Sequence, residues 1–329
     1  MKQASETAVP ETASAPQVCL DDVRAAAARI ESLVRRTPVL TADPARQRLP
    51  AAAVQLKLES LQVTGSFKAR GASNTLRSLS TEETARGLVT ASGGNHGLAI
   101  AYAAWTAGTR AVIFLPENTP STKAERLRAW GAEVRILGNV WDEANAAALA
   151  FAETDGLHYV HPFAEASVIA GQGTVALEFL EQAPDLDVLL VAIGGGGLIS
   201  GVATAAKGLN PDLRIVGVEP IGAPTLAESV AAGELVTLPR IETRAGTLAP
   251  RRSAAINLEI VDRLVEEIAL VSDEQMRDAA RWLWQECGVA AELSGAAALA
   301  ALMSGCLPDA ETAKVGVIVC GAGTDGMSV

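Results

Sequence analysis

Val188-Leu189-Leu190-Val191-Ala192-Ile193-Gly194-Gly195-Gly196-Gly197 is an unbroken apolar run that stops on four glycines. A strand buried on both faces reads as continuous Val, Ile and Leu, the habit of parallel sheets. Glycines placed between a strand and a helix let the backbone come close to an anion, which the amides and the helix dipole stabilise. The stretch therefore predicts a strand, a turn and a helix (Ser200 to Leu209) in a parallel α/β sheet, with phosphate as the expected guest. A tight strand–helix turn without a ligand is the other reading these residues allow.

The same alternation spreads in both directions. Arg214 to Glu219 reads as the next strand and Thr174 to Gln182 as the preceding helix. Upstream, Val54 to Glu59 alternates apolar and polar residues as a half-buried strand would. Leu88 to Ala91 is a short strand running into Ser92-Gly93-Gly94-Asn95-His96-Gly97, and Leu98 to Trp105 suggests a buried helix. Ala111 to Leu115 and Glu133 to Leu137 are strands. Ser121 to Trp130 is a helix closed by Gly131 as a C-cap, and Trp141 to Glu153 is an Ala-rich helix. Two α/β lobes are the natural solution.

Composition narrows the class. The chain has 329 residues, 49% of them hydrophobic, enough for a sizeable core in two lobes. A net charge of −11 argues against a nucleic-acid or anionic-membrane partner and suits a cytoplasmic enzyme. No run approaches the roughly 18 apolar residues of a membrane span. Residues 1–17, rich in Ala, Thr, Ser, Glu and Pro, read as a disordered tail rather than a signal peptide. Cys19, Cys287, Cys306 and Cys320 form no CxxC pair, so a reduced compartment and no structural zinc are expected.

Lys68 lies in Ser66-Phe67-Lys68-Ala69-Arg70-Gly71 and is one of only six lysines. In a partly apolar setting its charged form loses stabilisation, and the amine becomes a usable nucleophile or base. A solvated surface lysine is the bland alternative. The Ser92–Gly97 loop gathers hydroxyl, carboxamide and imidazole groups at a helix N-terminus and suits a small carboxylate; His96 could equally be structural. A dinucleotide reading of Gly195-Gly196-Gly197, with Ser200-Gly201 and a carboxylate at Glu219, meets the spacing loosely. It leaves Lys68 and Asn95 unexplained. With three histidines and neither HExxH nor G-x-S-x-G, a metallo- or triad hydrolase is poorly supported.

Taken together these motifs resemble the fold-type-II pyridoxal-phosphate enzymes, specifically the serine/threonine dehydratase and serine racemase group, over about residues 20–325. Thr64-Gly65-Ser66-Phe67-Lys68-Ala69-Arg70-Gly71 resembles the Schiff-base motif, and Gly94-Asn95-His96-Gly97 the loop whose asparagine meets the cofactor's 3′-oxygen. His161-Pro162-Phe163, Gly171-Gln172-Gly173-Thr174 and Ala291-Glu292-Leu293-Ser294-Gly295-Ala296-Ala297 also match, with Leu293 where the family has proline. The resemblance implies a two-lobed, tryptophan synthase β-like architecture, with 18–83 and 163–329 as the large lobe and 84–162 as the small one. It implies Lys68 as the catalytic lysine. Cofactor contacts would come from Phe67, Lys68, Asn95, Gly194, Gly195, Gly196, Gly197, Leu198, Glu292 and Cys320. Ser66, Ser92, Gly93, Asn95 and His96 would hold substrate.

Three departures bear on chemistry. Cys320 stands where the family usually has a serine opposite the pyridine nitrogen; a thiol is a weak donor, so the ring should stay unprotonated. Gly93 replaces the serine that acts as opposite-face acid in serine racemases, and glycine delivers no proton. The implied cation site keeps Glu219 and the Ala223 carbonyl, but Thr225 replaces its second carboxylate. Hard divalent cations want several oxygens, so a looser monovalent ion fits better. The expected activity is dehydration and deamination of L-threonine or L-serine by a homodimer; serine racemase or a 3-hydroxyaspartate-type dehydratase is the alternative. No regulatory domain is expected after Asp325.

Overall fold

The computed structural model describes residues 18–325, and the expected tail over residues 1–17 lies outside them. Ten strands run β1 Val39–Thr41, β2 Ala53–Leu58, β3 Leu88–Ala91, β4 Ala111–Leu115, β5 Glu133–Ile136, β6 His158–Tyr159, β7 Val188–Ala192, β8 Arg214–Pro220, β9 Glu267–Val271 and β10 Lys314–Val319. The helices are α1 Leu20–Ile30, α2 Lys68–Ser78, α3 Thr81–Arg86, α4 Asn95–Ala107, α5 Ser121–Ala129, α6 Trp141–Asp155, α7 Ala166–Gln182, α8 Gly197–Leu209, α9 Thr225–Ala232, α10 Ala255–Leu264, α11 Asp273–Cys287 and α12 Leu293–Met303.

The strands form two sheets, a six-stranded one in the order β1-β2-β10-β7-β8-β9 and a four-stranded one in the order β5-β4-β3-β6. Every pairing is parallel except β1 with β2. Burial explains the apolar runs: β7 is buried along its whole length, and so is β10 after Lys314. Helices cover both faces, so these strands have no polar side to show.

Two readings of the local pattern need correction. α7 begins at Ala166, eight residues before the expected Thr174, and carries Gly171 and Gly173 within it. In β2, Lys57 is not the solvated side of a half-buried strand but is fully buried, as is Glu59 just beyond. The Lys57 Nζ donates to the Thr37 carbonyl (2.8 Å), Glu178 (2.9 Å) and Gln182 (2.7 Å). Arg70, also fully buried, forks between both oxygens of Glu59 and both of Glu178, at 2.7 to 2.9 Å. Two cations and two carboxylates cancel, which is how the interior tolerates four charges; removing one would strand another, at roughly 3–5 kcal/mol. The network ties β2, α2 and α7 together.

Candidate active site

In parallel sheets, ligand-binding loops gather beyond the carboxyl ends of the strands. Here β3 ends in Ser92–Gly97, β7 in Gly194–Gly197 and β10 in Cys320. Lys68 opens α2 on the same side. The segment before it is stitched to the end of β10: Phe67 N donates to Cys320 O (3.2 Å), Ala322 N to Gly65 O (2.8 Å), and Ser66 bridges Gly321. Thr64 and Gly65 take φ of +63° and +86° to make this turn. A β-branched residue in the left-handed region is uncommon and costs about 1–3 kcal/mol, which the surrounding pairing holds in place.

The Lys68 amine is enclosed although the side chain keeps some accessible surface. Its Nζ donates to the Pro162 carbonyl (2.7 Å) and stands 5.2 Å from the Phe67 ring centre. Burial lowers its pKa to about 8, partly opposed by Cys320 and Glu292. No carboxylate forms an ion pair with it among the described residues.

At the Ser92–Gly97 loop, the Ser92 hydroxyl accepts from Gly94 N (3.3 Å). Gly97 has to be glycine, because a Cβ there would lie 1.9 Å from Ser92 O. Asn95 Nδ2 donates to Glu292 Oε1 (2.7 Å), which also accepts from Thr247 Oγ1 (3.3 Å). Burial raises the Glu292 pKa to about 7. His96 points into the core: Nε2 meets the Val160 carbonyl at 3.1 Å, and burial drives its pKa down to about 3. The ring is neutral and engaged, so His96 would offer an anion in this loop only its backbone amide. His161 is likewise neutral, its pKa lowered by burial to about 4, and its Nδ1 accepts from Phe163 N and Ala164 N. The Cα–H of Gly93 that a side chain would replace faces Thr119, Leu115 and the exposed Lys123.

The glycine run forms a cradle. Gly196 takes φ +101°, and a Cβ on Gly195 would fall 2.1 Å from the Phe163 ring. The Gly195 carbonyl is drawn aside by Ser253 Oγ and Asn257 Nδ2, both at 2.9 Å. Asn257 also donates to Phe163 O (3.0 Å) and accepts from Ser200 Oγ (3.0 Å). With the carbonyl held away, the Gly195 to Leu198 amides at the α8 N-terminus are left for a ligand, since a helix supplies no partner to its first N–H groups. A crowded, side-chain-free turn at a helix start fits a phosphate. Pro162-Phe163 links the two features: Phe163 packs on Gly195 and Gly197, and the Pro162 carbonyl accepts from the Lys68 amine.

Cys320 is buried, its Sγ donating to Ser294 O (3.5 Å), and burial pushes its thiol pKa far up. Glu219 stands apart from these residues. Its two oxygens accept from Leu226 N and Ala227 N, each 2.8 Å, at the start of α9, and burial raises its pKa to about 8. Ala223 is buried nearby, and Thr225 Oγ1 donates to Pro250 O (2.7 Å). Among the described residues no cluster of three or more His, Cys, Asp or Glu could hold a metal. Sequence reading missed Asn257, Ser253, Thr247 and the Pro162 carbonyl as supports; of these only Pro162 sat in a motif.

Residues 30–321 match the family profile described as pyridoxal-phosphate dependent enzyme. The chain is 38% identical over 308 residues to the L-threonine ammonia-lyase of Thermotoga maritima, covering 94% of this chain and 76% of that protein. It is 38% identical over 315 residues to the serine racemase of Oryza sativa subsp. indica, covering 93% and 91%. The solved structure of processed threonine deaminase isoform 2 from Solanum lycopersicum superposes with a TM-score of 0.88 at 32% identity, covering 97% of this chain and 90% of that one.

Proposed function

Because the chain belongs to the pyridoxal-phosphate dependent enzyme family, we propose that it eliminates water from a β-hydroxy L-amino acid, L-threonine or L-serine foremost, and releases a 2-oxo acid and ammonia. The observation that carries this reading is an enclosed lysine amine, lowered in pKa and held by the Pro162 carbonyl, whose neighbour Phe163 packs on a glycine cradle at a helix N-terminus. Pyridoxal phosphate, when bound, supplies the electron sink for the substrate's Cα electrons.

The chain's own residues do the rest. The amides of the Gly194–Leu198 turn would hold the phosphate. Lys68 would be the residue that holds the aldehyde end of the cofactor, and its freed amine would serve as general base for the substrate Cα proton. A pKa near 8 leaves part of the amine neutral at neutral pH. The Pro162 carbonyl takes one N–H and so orients the lone pair. Ser66, Ser92, Asn95 and the amides of the Gly93–His96 turn receive the substrate carboxylate. Phe67 packs beside the lysine. Glu292 holds the Asn95 carboxamide, and Asn95 would be the residue that contacts the cofactor's 3′-oxygen. Cys320 would offer a neutral thiol at the ring end of the cofactor.

Serine racemase is the second reading, and Gly93, which offers no proton, weighs against it. We also carry the lobe division at residues 84 and 162, a homodimer and a cytoplasmic setting as parts of this proposal. A cation at Glu219 and the Ala223 carbonyl would compete with two amides already on the carboxylate, which favours a weakly held monovalent ion.

Side-chain selectivity rests on few contacts, since one methyl group is worth only ~1–3 kcal/mol. A panel of L-serine, L-threonine, threo-3-hydroxyaspartate and phenylserine, scored by 2-oxo acid release, is the test. Release from L-threonine or L-serine is expected; no release from any of the four would end this reading.

A further inference from the structure

α7 is wedged between the two helices that carry the ends of the site. On one flank, a Cβ built on Gly171 would lie 2.6 Å from Gly71 Cα and 2.8 Å from Arg70 O, both in the first turn of α2 behind Lys68. On the other, a Cβ on Gly173 would lie 2.7 Å from Gly201 O in α8, the helix that starts at the glycine cradle. The contacts are reciprocal: a Cβ on Gly71 would meet Val168 O at 2.9 Å, and one on Gly201 would meet Ile169 O at 2.2 Å. Backbone therefore touches backbone on both sides, and the Val23 side chain of α1 also lies 2.8 Å from a Cβ on Gly173. Gln172, between the two glycines, accepts from Gly71 N (3.2 Å), and Glu178 further along α7 pairs with Arg70 (2.7 Å).

Two glycines inside a helix cost about 1 kcal/mol each relative to alanine. The close approach is what this cost secures. We propose that α7 is the spacer that fixes the separation between the Lys68 amine and the Gly194–Gly197 cradle, with Gly171 and Gly173 as its positioning residues. The inference rests on the reading above, in which the two points hold opposite ends of one cofactor. A ligand held at two points gains from the second only if their spacing matches its own length. An added Cβ at either glycine has to push α2 or α8 outward, and a misplacement of about 1 Å can cost on the order of 10²-fold. Each end keeps its own supports, because Pro162, which holds the Lys68 amine, and Ser253 and Asn257, which hold the Gly195 carbonyl, all lie outside α7.

The test uses full-length apoprotein and two ligands, pyridoxal phosphate and pyridoxal, which lacks the phosphate. Schiff-base absorbance reports both affinities in wild type, Gly171→Ala, Gly173→Ala and Gln172→Leu. Wild type should prefer the phosphorylated ligand strongly. Each alanine variant should lose about tenfold or more of that preference while its pyridoxal affinity stays within about threefold of wild type. Folded alanine variants that keep the wild-type preference would overturn the proposal, as would affinities for both ligands that fall in step. If the alanine variants do not fold, Gln172→Leu decides, since it removes only the Gly71 bond: a lowered preference supports the spacer, and an unchanged one overturns it. A wild type that forms no Schiff base with pyridoxal phosphate would instead refute the proposed function, so the two failures are distinguishable.

Discussion

The Lys68 amine donates to the Pro162 carbonyl across 2.7 Å, although the two residues are 94 positions apart in the chain. The acceptor is backbone, so it holds the amine without pairing its charge. That distinguishes Lys68 from the buried Lys57, whose amine meets Glu178. Burial lowers the pKa of both lysines, but Glu178 works against that at Lys57 through a direct ion pair, and no carboxylate among the described residues pairs with Lys68. Lys68→Ala should therefore remove the Schiff-base absorbance and lower turnover by at least ~10³-fold, while Lys57→Met should act on stability. Steady-state rates and thermal melts of the two variants check this; full activity in Lys68→Ala would exclude it as the catalytic lysine.

The lowered pKa of Lys68 has a signature in pH. Only the neutral amine attacks an aldehyde, so the rate at which apoprotein takes up pyridoxal phosphate should rise with pH and level off above about 8. An ordinary lysine would keep gaining until about 10.4. Stability follows the same group. Between the folded value near 8 and the higher unfolded value, the unfolded chain binds more protons, so this group favours folding increasingly as pH rises through that window. Stopped-flow uptake across pH 6–10 reads the rate; a profile still climbing at the alkaline end would contradict the enclosed amine.

Gly93 fixes an expectation about stereochemistry. Because Gly93 cannot deliver a proton opposite Lys68, elimination from L-serine should greatly outpace formation of D-serine. Chiral chromatography set against pyruvate release measures the ratio. Comparable rates would mean that another group delivers the proton.

Cys320 offers a neutral, buried thiol bonded to Ser294 O. Cys320→Ser should keep most elimination activity, because a hydroxyl occupies nearly the same role. Cys320→Asp should be slower, since a carboxylate there favours a protonated ring nitrogen and holds electrons that leaving-group expulsion needs returned to Cβ. It would also sit close to Glu292, whose charge already acts on this position. Relative kcat values decide; an aspartate variant faster than both others would show that proton removal limits the rate.

The parts of the fold legible in the sequence were those fixed by local pattern. β3 and β4 fall where the apolar runs of Leu88–Ala91 and Ala111–Leu115 place them, and β7 stops one residue short of the expected Ile193. The early part of α7 was hidden by Gly171 and Gly173, which weaken a helical signal locally and are explained by contacts with α2 and α8. Lys57 and Glu59 looked solvated because the charges that compensate them, on Arg70 and Glu178, come from other elements. In the site, Lys68 and the glycine loops announced themselves by composition. Asn257, Ser253 and Thr247 did not, since a polar residue that holds a distant carbonyl or carboxylate leaves no spacing to read.

The account turns on which amine holds the cofactor. Protein loaded with pyridoxal phosphate can be reduced with borohydride, digested and mapped by mass spectrometry. The reduced cofactor should be found on the peptide containing Lys68, with loss of the yellow absorbance and of 2-oxo acid release. A label confined to Lys57, Lys123 or any other lysine, or a protein that never turns yellow, would contradict it.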